Sequence, residues 1–210
     1  MLQSRYKNDT SIEVGIDEAG RGCLWGPLVA GAVIWLPEDE WTEECREVSA
    51  QIKDSKKLTP KKRASLRNAI EGLAIDFSVG IVSAAEIDRH GMTASNCLAF
   101  ERALQTLAVE PDRILLDGCL RIETEKEQIV EVEADNKYIA VAAASILAKE
   151  SHDEIVKKYC EEQPALEDRY HLLSCKGYGT AAHRDGIEKH GPHLEHRRLF
   201  LRKILYDFID

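Results

Sequence analysis

Four carboxylates open the chemical reading. Asp17 and Glu18 are adjacent and run straight into glycine and arginine in GIDEAGRGCLWGP, while Asp117 closes RILLDG and Asp135 closes IVEVEAD. Each of these acids follows an alternating or short apolar stretch of the kind that forms a β-strand. In open α/β sheets ligands bind beyond the carboxyl ends of the strands, so neighbouring strands would gather the four acids in one crevice. Carboxylates so placed raise one another's pKa unless a cation neutralises them. Oxygen-rich acidic sites suit Mg2+ or Mn2+, and two such ions about 3.5–4 Å apart drive in-line attack of water on a phosphodiester. Taken singly, Asp117 before Gly118 also fits a turn, and Asp135 also fits a helix cap. The adjacent pair Asp17 and Glu18 sits at no obvious cap, and a glycine loop follows directly.

In that loop Gly20-Arg21-Gly22 lets backbone N–H groups approach a sugar-phosphate chain, and Arg21 adds a fork suited to phosphate. Downstream, KGYGT (176–180) brackets Tyr178 with glycines ahead of His183 and Arg184. A ring presented in this way has a face free to stack on a base or sugar, though a loop tyrosine folded over a core edge has the same sequence. Most of the seven histidines read as surface or hydrogen-bonded residues rather than metal ligands.

The elements that must position these groups follow from pattern. IEVGID alternates Ile12, Val14 and Ile16 against Glu13, Gly15 and Asp17, a strand with Asp17 at its end. LVAGAVIWL and AIDFSVGIV read as two more strands, with PEDEWTEECRE as an acidic loop after the first of them. Thr59 followed by Pro60 predicts a helix N-terminus running to about residue 72. Ser95 is expected to cap a helix carrying Leu98, Ala103, Leu104 and Leu107, and Ile139 to about Tyr159 is a long helix with an alanine-rich first half. Strands and helices alternate in the second half, so a mixed sheet with parallel pairs is expected there. Beyond about residue 165 the chain reads as loops and terminal helices.

Composition bounds the remaining choices. A chain of 210 residues, 44% hydrophobic and 31% charged, is long enough for a packed core. Its longest apolar runs are too short for a membrane span, and no signal-like segment begins it, so a cytoplasmic address is the expectation. Six scattered cysteines with no C-x-x-C pair argue against a zinc ribbon and favour free thiols. The net charge of −9 by itself disfavours nucleic acid. Yet residues 53–67 hold seven Lys or Arg against Asp54 alone, and residues 169–203 hold eight against three acids. Either stretch alone could be a solvated helix face; two of them beside an acidic site suit an extended polyanion.

Taken in order, IDEAGRG (16–22), GPLVAGAVI (26–34), DSKKL (54–58), EID (86–88), LLDG (115–118), the acid of 135 with AAASILAK (142–149), KGYGT (176–180), HGP (190–192) and HRRLF (196–200) resemble the type 2 ribonuclease H family, ribonuclease HII. The resemblance covers nearly the whole chain. It implies an α/β fold: an RNase H-like mixed five-stranded sheet flanked by helices, with a C-terminal helical extension. Residues 1–165 would form the catalytic domain and 166–210 the extension that completes the substrate groove. It implies a two-metal Mg2+ or Mn2+ endoribonuclease that cuts RNA in RNA–DNA hybrids and nicks duplex DNA 5′ to embedded ribonucleotides, leaving 3′-hydroxyl and 5′-phosphate ends. Asp17, Glu18, Asp117 and Asp135 would be the metal-binding catalytic acids. Gly20, Arg21 and Gly22 would read the ribose 2′-hydroxyl, Tyr178 would stack on the sugar, and Lys56 and Lys176 would contact phosphates. Cys23, Trp25, Ala134, Tyr138, Glu150, Ser151 and His152 depart from the usual pattern, and none of them is a catalytic acid. The type 3 family is the nearest rival; it typically carries an added N-terminal domain, whereas the first strand here starts near residue 12. A monomer is the default expectation, and LFLRKILYDFID (199–210) reads as a packing helix rather than a sliding-clamp tail.

Overall fold

The structure, a computed structural model, describes residues 2–202. Five strands form one sheet: β1 (Glu13–Ala19), β2 (Leu28–Ile34), β3 (Asp76–Val82), β4 (Arg113–Asp117) and β5 (Glu127–Glu131), in the order β3-β2-β1-β4-β5. β1 pairs antiparallel with β2 and β2 with β3, while β1–β4 and β4–β5 are parallel. The sheet is therefore mixed, with its parallel pairs in the second half of the chain, as the alternation of elements predicts.

A helix covers each face. The long helix α5 (Ile139–Glu162) lies across β1 and β2, joined on that side by α1 (Glu43–Ser49) and α2 (Pro60–Leu73). Its run of alanines brings the helix backbone close to the sheet, and a Cβ at Gly31 would collide with the carbonyl of Ala144. The other face packs Val14, Ile16, Leu28, Ala30 and Leu116 against Ala99, Phe100 and Ala103 of α4 (Met92–Thr106), which follows the short α3 (Ala84–His90). Helices α6 (Ala165–Tyr170), α7 (Leu172–Cys175), α8 (Ala181–His190) and α9 (Arg198–Leu201) gather around a third core of Leu166, Tyr170, Leu172 and Ile187. This core also takes in Trp25 from the glycine loop and Val156 from α5. Among the described residues no helix is long and apolar enough to cross a membrane.

At the far end of the sheet Arg113 of β4 pairs with Glu13 of β1 (2.5 Å), Asp9 (2.8 Å) and Glu127 of β5 (2.8 Å). One buried guanidinium thus joins three adjacent segments through charge-assisted bonds.

Several local expectations hold and others need correction. Thr59 caps α2 by accepting from the Lys62 N–H, and α5 starts at Ile139. The acidic stretch is not all loop: Thr42 caps α1, and its acids lie in the first turn, where the helix dipole favours them. Only Cys45 and Ser49 of α1 are buried, so no apolar period marks it. Ser95 does not cap a helix but lies completely buried inside α4, which begins at Met92 directly after Gly91 ends α3. A capping box of Ser83 and Glu86 starts α3. β5 stops at Glu131, and Asp135 stands beyond it on a 3₁₀ turn, Ala134–Asn136, reached through Glu133 in the left-handed conformation at φ 59°. Pairing of β1 runs on to Ala19, so Asp17 lies inside the strand rather than at its end. The expected packing helix at 199–210 falls partly in α9, and residues 203–210 lie outside the described residues.

Gly31→Ala is expected to destabilise the protein by about 1–3 kcal/mol, the usual cost of overpacking. Urea unfolding checks this; unchanged stability would show that α5 can lift from the sheet without cost.

Candidate metal-binding active site

Parallel pairing sets Ile16 beside Leu116, so the next residues, Asp17 and Asp117, are neighbours on adjacent strands. The 3₁₀ turn then delivers Asp135 to the same place, tied there by the Ala134 N–H, which donates to Oδ1 of Asp117 at 2.8 Å. One carboxylate oxygen from each of Asp17, Asp117 and Asp135 lies within 4.8 Å of the others. No Lys or Arg among the described residues forms an ion pair with any of the three.

Strand alternation explains how Asp17 and Glu18 can be adjacent. Their side chains leave opposite faces of β1. Asp17 shares the α5 face with Gly31 and lies near Ser145, whereas Glu18 turns to the α4 side near Asn96. Glu18 falls outside the 4.8 Å set, although Asp117 is close enough to raise its pKa.

Burial is the main force on these groups. It pushes Asp17 well above the ordinary carboxylate range, with Glu18 and Asp117 adding repulsion. Burial likewise raises Glu18, and it raises Asp135 to about 6 with help from Asp117 and Asp54. Two buried carboxylates and a half-buried one, all oxygen-only donors with no described Lys or Arg paired to them, fit a hard divalent ion.

The remaining predicted residues fall in two places. Lys56 belongs to a 3₁₀ turn, Ser55–Lys57, capped by Asp54, and its charge eases the ionisation of both Glu18 and Asp135. Arg21 is exposed, with Nη1 3.6 Å from Oε1 of Glu18. Gly20 (φ 84°) needs its missing side chain, because a Cβ there would sit 2.5 Å from the ring of His152. Gly22 faces Tyr178, whose Cε1 would be 3.8 Å from a Cβ at that position. Tyr178 is 39% exposed, and Lys149 Nζ lies 5.4 Å from its ring centre. Lys176 adjoins the tyrosine, and its carbonyl accepts from the Cys23 thiol at 3.3 Å. The sequence-predicted residues thus form two adjoining groups, an acid cluster with Lys56 and a surface of Gly20–Gly22, Tyr178 and Lys176.

Sequence reasoning passed over the groups beneath this surface. His152 and Asp153 on α5 bond each other at 3.2 Å, and Asp153 also holds Lys149 and Arg63. His152, a departure from the family pattern, meets Cys23, another departure, at 3.7 Å. The spacing of Lys149 and Asp153 on one helix face was the only signal for this cluster. Two basic residues are not available to a polyanion: Arg63 is buried on Glu150 and Asp153, and Arg197 is completely buried.

The site is thus a mixed five-stranded sheet with acids gathered where β1 and β4 meet. A family model described as Ribonuclease HII matches residues 14–203. Curated relatives of that name include proteins from Parabacteroides distasonis (43% identical, covering 93% of this chain and 92% of the relative) and Dehalococcoides mccartyi (40%, 97% and 93%). A crystal structure of ribonuclease H2 from Pyrococcus horikoshii OT3 superimposes with a TM-score of 0.73 at 28% identity, covering 93% of this chain and 98% of that one. The chain belongs to the ribonuclease HII family.

The raised pKa of Asp135 has a measurable consequence. Its folded value of about 6 exceeds the ordinary 3.8, so the folded state binds the extra proton between those values, and ionisation penalises folding as pH rises through that window. In chelator, Asp135→Asn is expected to gain stability relative to the unsubstituted protein as pH rises from about 4 to about 6, and Mg2+ or Mn2+ should narrow that gap. Thermal unfolding across pH measures it; a gap that does not change with pH would remove the burial penalty.

Proposed function

We propose that this ribonuclease HII family member is a two-metal endoribonuclease that cuts the RNA strand of RNA–DNA hybrids and nicks duplex DNA on the 5′ side of an embedded ribonucleotide, leaving 3′-hydroxyl and 5′-phosphate ends. The observation that carries this reading is the cluster of Asp17, Asp117 and Asp135 within 4.8 Å, beside a turn that exposes Arg21 and Gly22 and an exposed tyrosine.

Asp17, Asp117 and Asp135 would hold one divalent ion, and Glu18, approaching Asp117 from the other face of β1, would help to hold a second. When bound, such a pair activates water and neutralises charge on the phosphate undergoing attack. The backbone at Gly20 and Gly22, with the Arg21 fork, would meet the ribose 2′-hydroxyl and the adjacent phosphate, the local feature that separates RNA from DNA. Tyr178 would stack on the sugar at the junction, while Lys56 and Lys176 would contact phosphates on either side. Residues 166–202 would complete the groove next to the 1–165 domain.

A labelled DNA duplex with one ribonucleotide, incubated with Mg2+, Mn2+ or chelator beside an all-DNA control, tests the reading. A metal-dependent nick 5′ to the ribonucleotide and absent from the control is expected; cutting of neither this duplex nor a long hybrid would overturn it. Asp17→Asn is expected to reduce cleavage to background while hybrid binding persists. Tyr178→Ala is expected to raise KM about tenfold, within the range of a lost stacking contact of about 1–3 kcal/mol, and an unchanged KM would exclude Tyr178 from the substrate surface.

A further inference from the structure

The glycine loop and the tyrosine loop are held by a third segment that no proposed substrate contact uses. Residues 23–26 lie between residues 175–178 and 193–197. Leu24 N–H donates to the Gly177 carbonyl (2.8 Å), Gly26 N–H to the Glu195 carbonyl (2.8 Å), and Arg197 N–H to the Leu24 carbonyl (2.8 Å). Isolated β-bridges join Cys23 to Tyr178 and Trp25 to His196.

Two side-chain devices complete this arrangement. The fully buried Arg197 sends Nη1 to the carbonyl of Arg21 (3.1 Å), Nε to that of Gly26 (2.9 Å) and Nη2 to that of Pro27 (2.8 Å). It forms no ion pair with any described residue. A buried cation without a counter-ion is costly, and only a planar fork reaches three carbonyls at once. The second device is a chain of hydrogen bonds with one allowed direction. His193 N–H donates to Nδ1 of His196 (2.8 Å), so the proton of that neutral ring is on Nε2. Nε2–H of His196 donates to Nε2 of His183 (3.0 Å), which leaves the His183 proton on Nδ1, where it donates to the carbonyl of Tyr178 (2.9 Å). Burial lowers the pKa of both rings, which keeps them neutral as this chain requires.

We propose that Arg197, His196 and His183 are positioning residues for sugar recognition: they fix the Gly20–Gly22 turn and the Tyr178 loop relative to one another, so that the choice of ribose over deoxyribose depends on them. The inference rests on the reading that those two loops contact the sugar.

The test uses the full chain and two numbers: KM and kcat on the single-ribonucleotide duplex, and the ratio of the inhibition constant of an all-DNA competitor duplex to that KM. Arg197→Lys and His183→Leu are expected to lower the ratio about tenfold, the equivalent of one buried hydrogen bond, with the loss mainly in KM. His183→Asn keeps a side-chain N–H for the Tyr178 carbonyl and is expected to restore most of the ratio. Should Arg197→Lys fail to fold by thermal unfolding, the His183 pair decides. An unchanged ratio in folded His183→Leu, or an Asn variant no better than Leu, overturns the proposal. A ratio near one in the unsubstituted protein would instead overturn the sugar-reading assignment on which it rests.

Discussion

Mutual repulsion between buried carboxylates is the constraint around which this structure is arranged. Asp17 and Asp117 are neighbours because β1 and β4 run parallel, and Asp135 is brought to them by a turn bonded to Asp117 itself. No described Lys or Arg forms an ion pair with the three; Lys56 and Lys57 ease the ionisation of Asp135 without pairing with it, and burial strengthens every charge interaction among the acids. A fold selected for stability alone would keep these acids apart. Holding them together requires rigid elements on several sides, and the sheet, α5 and the capped turn at Ser55–Lys57 supply them.

Helix α5 serves both halves of the site. Its first turns press on β1 and β2 beside Asp17, through alanines that allow close approach. Its middle turns carry Lys149, His152 and Asp153 under the glycine loop and Tyr178. Its last turns enter the core of the C-terminal helices through Val156 and Cys160. One helix thus joins the acids, the exposed surface next to them and the segment that braces that surface.

Much of this was legible in the chain. Period-two alternation located β1, and short apolar runs located β2 and β4, because a half-buried or fully buried strand leaves no other pattern. Thr59-Pro60 announced α2 through capping chemistry that is local. What the sequence hid depends on partners distant in the chain. Asp135 reads as the end of a strand, but β5 loses its pairing at Glu131, and only the bond to Asp117 explains the turn that follows. α1 buries too little to show a period, and Ser95 reads as a cap because its burial inside α4 comes from the packed sheet. Arg197 counted toward a basic surface, while the fold uses it as an internal fork for three carbonyls.

The Arg113 cluster at the opposite end of β4 has a consequence for how the acids come together. It fastens β4 to β1 and β5 at a point four residues before Asp117. Strand registry is discrete: a slip of one residue would turn Asp117 to the other face of the sheet, and a slip of two would carry it about 6.6 Å along β1. The Arg113 ion pairs suit only the native alignment, so the far end of β4 favours the one register in which Asp117 stands beside Asp17.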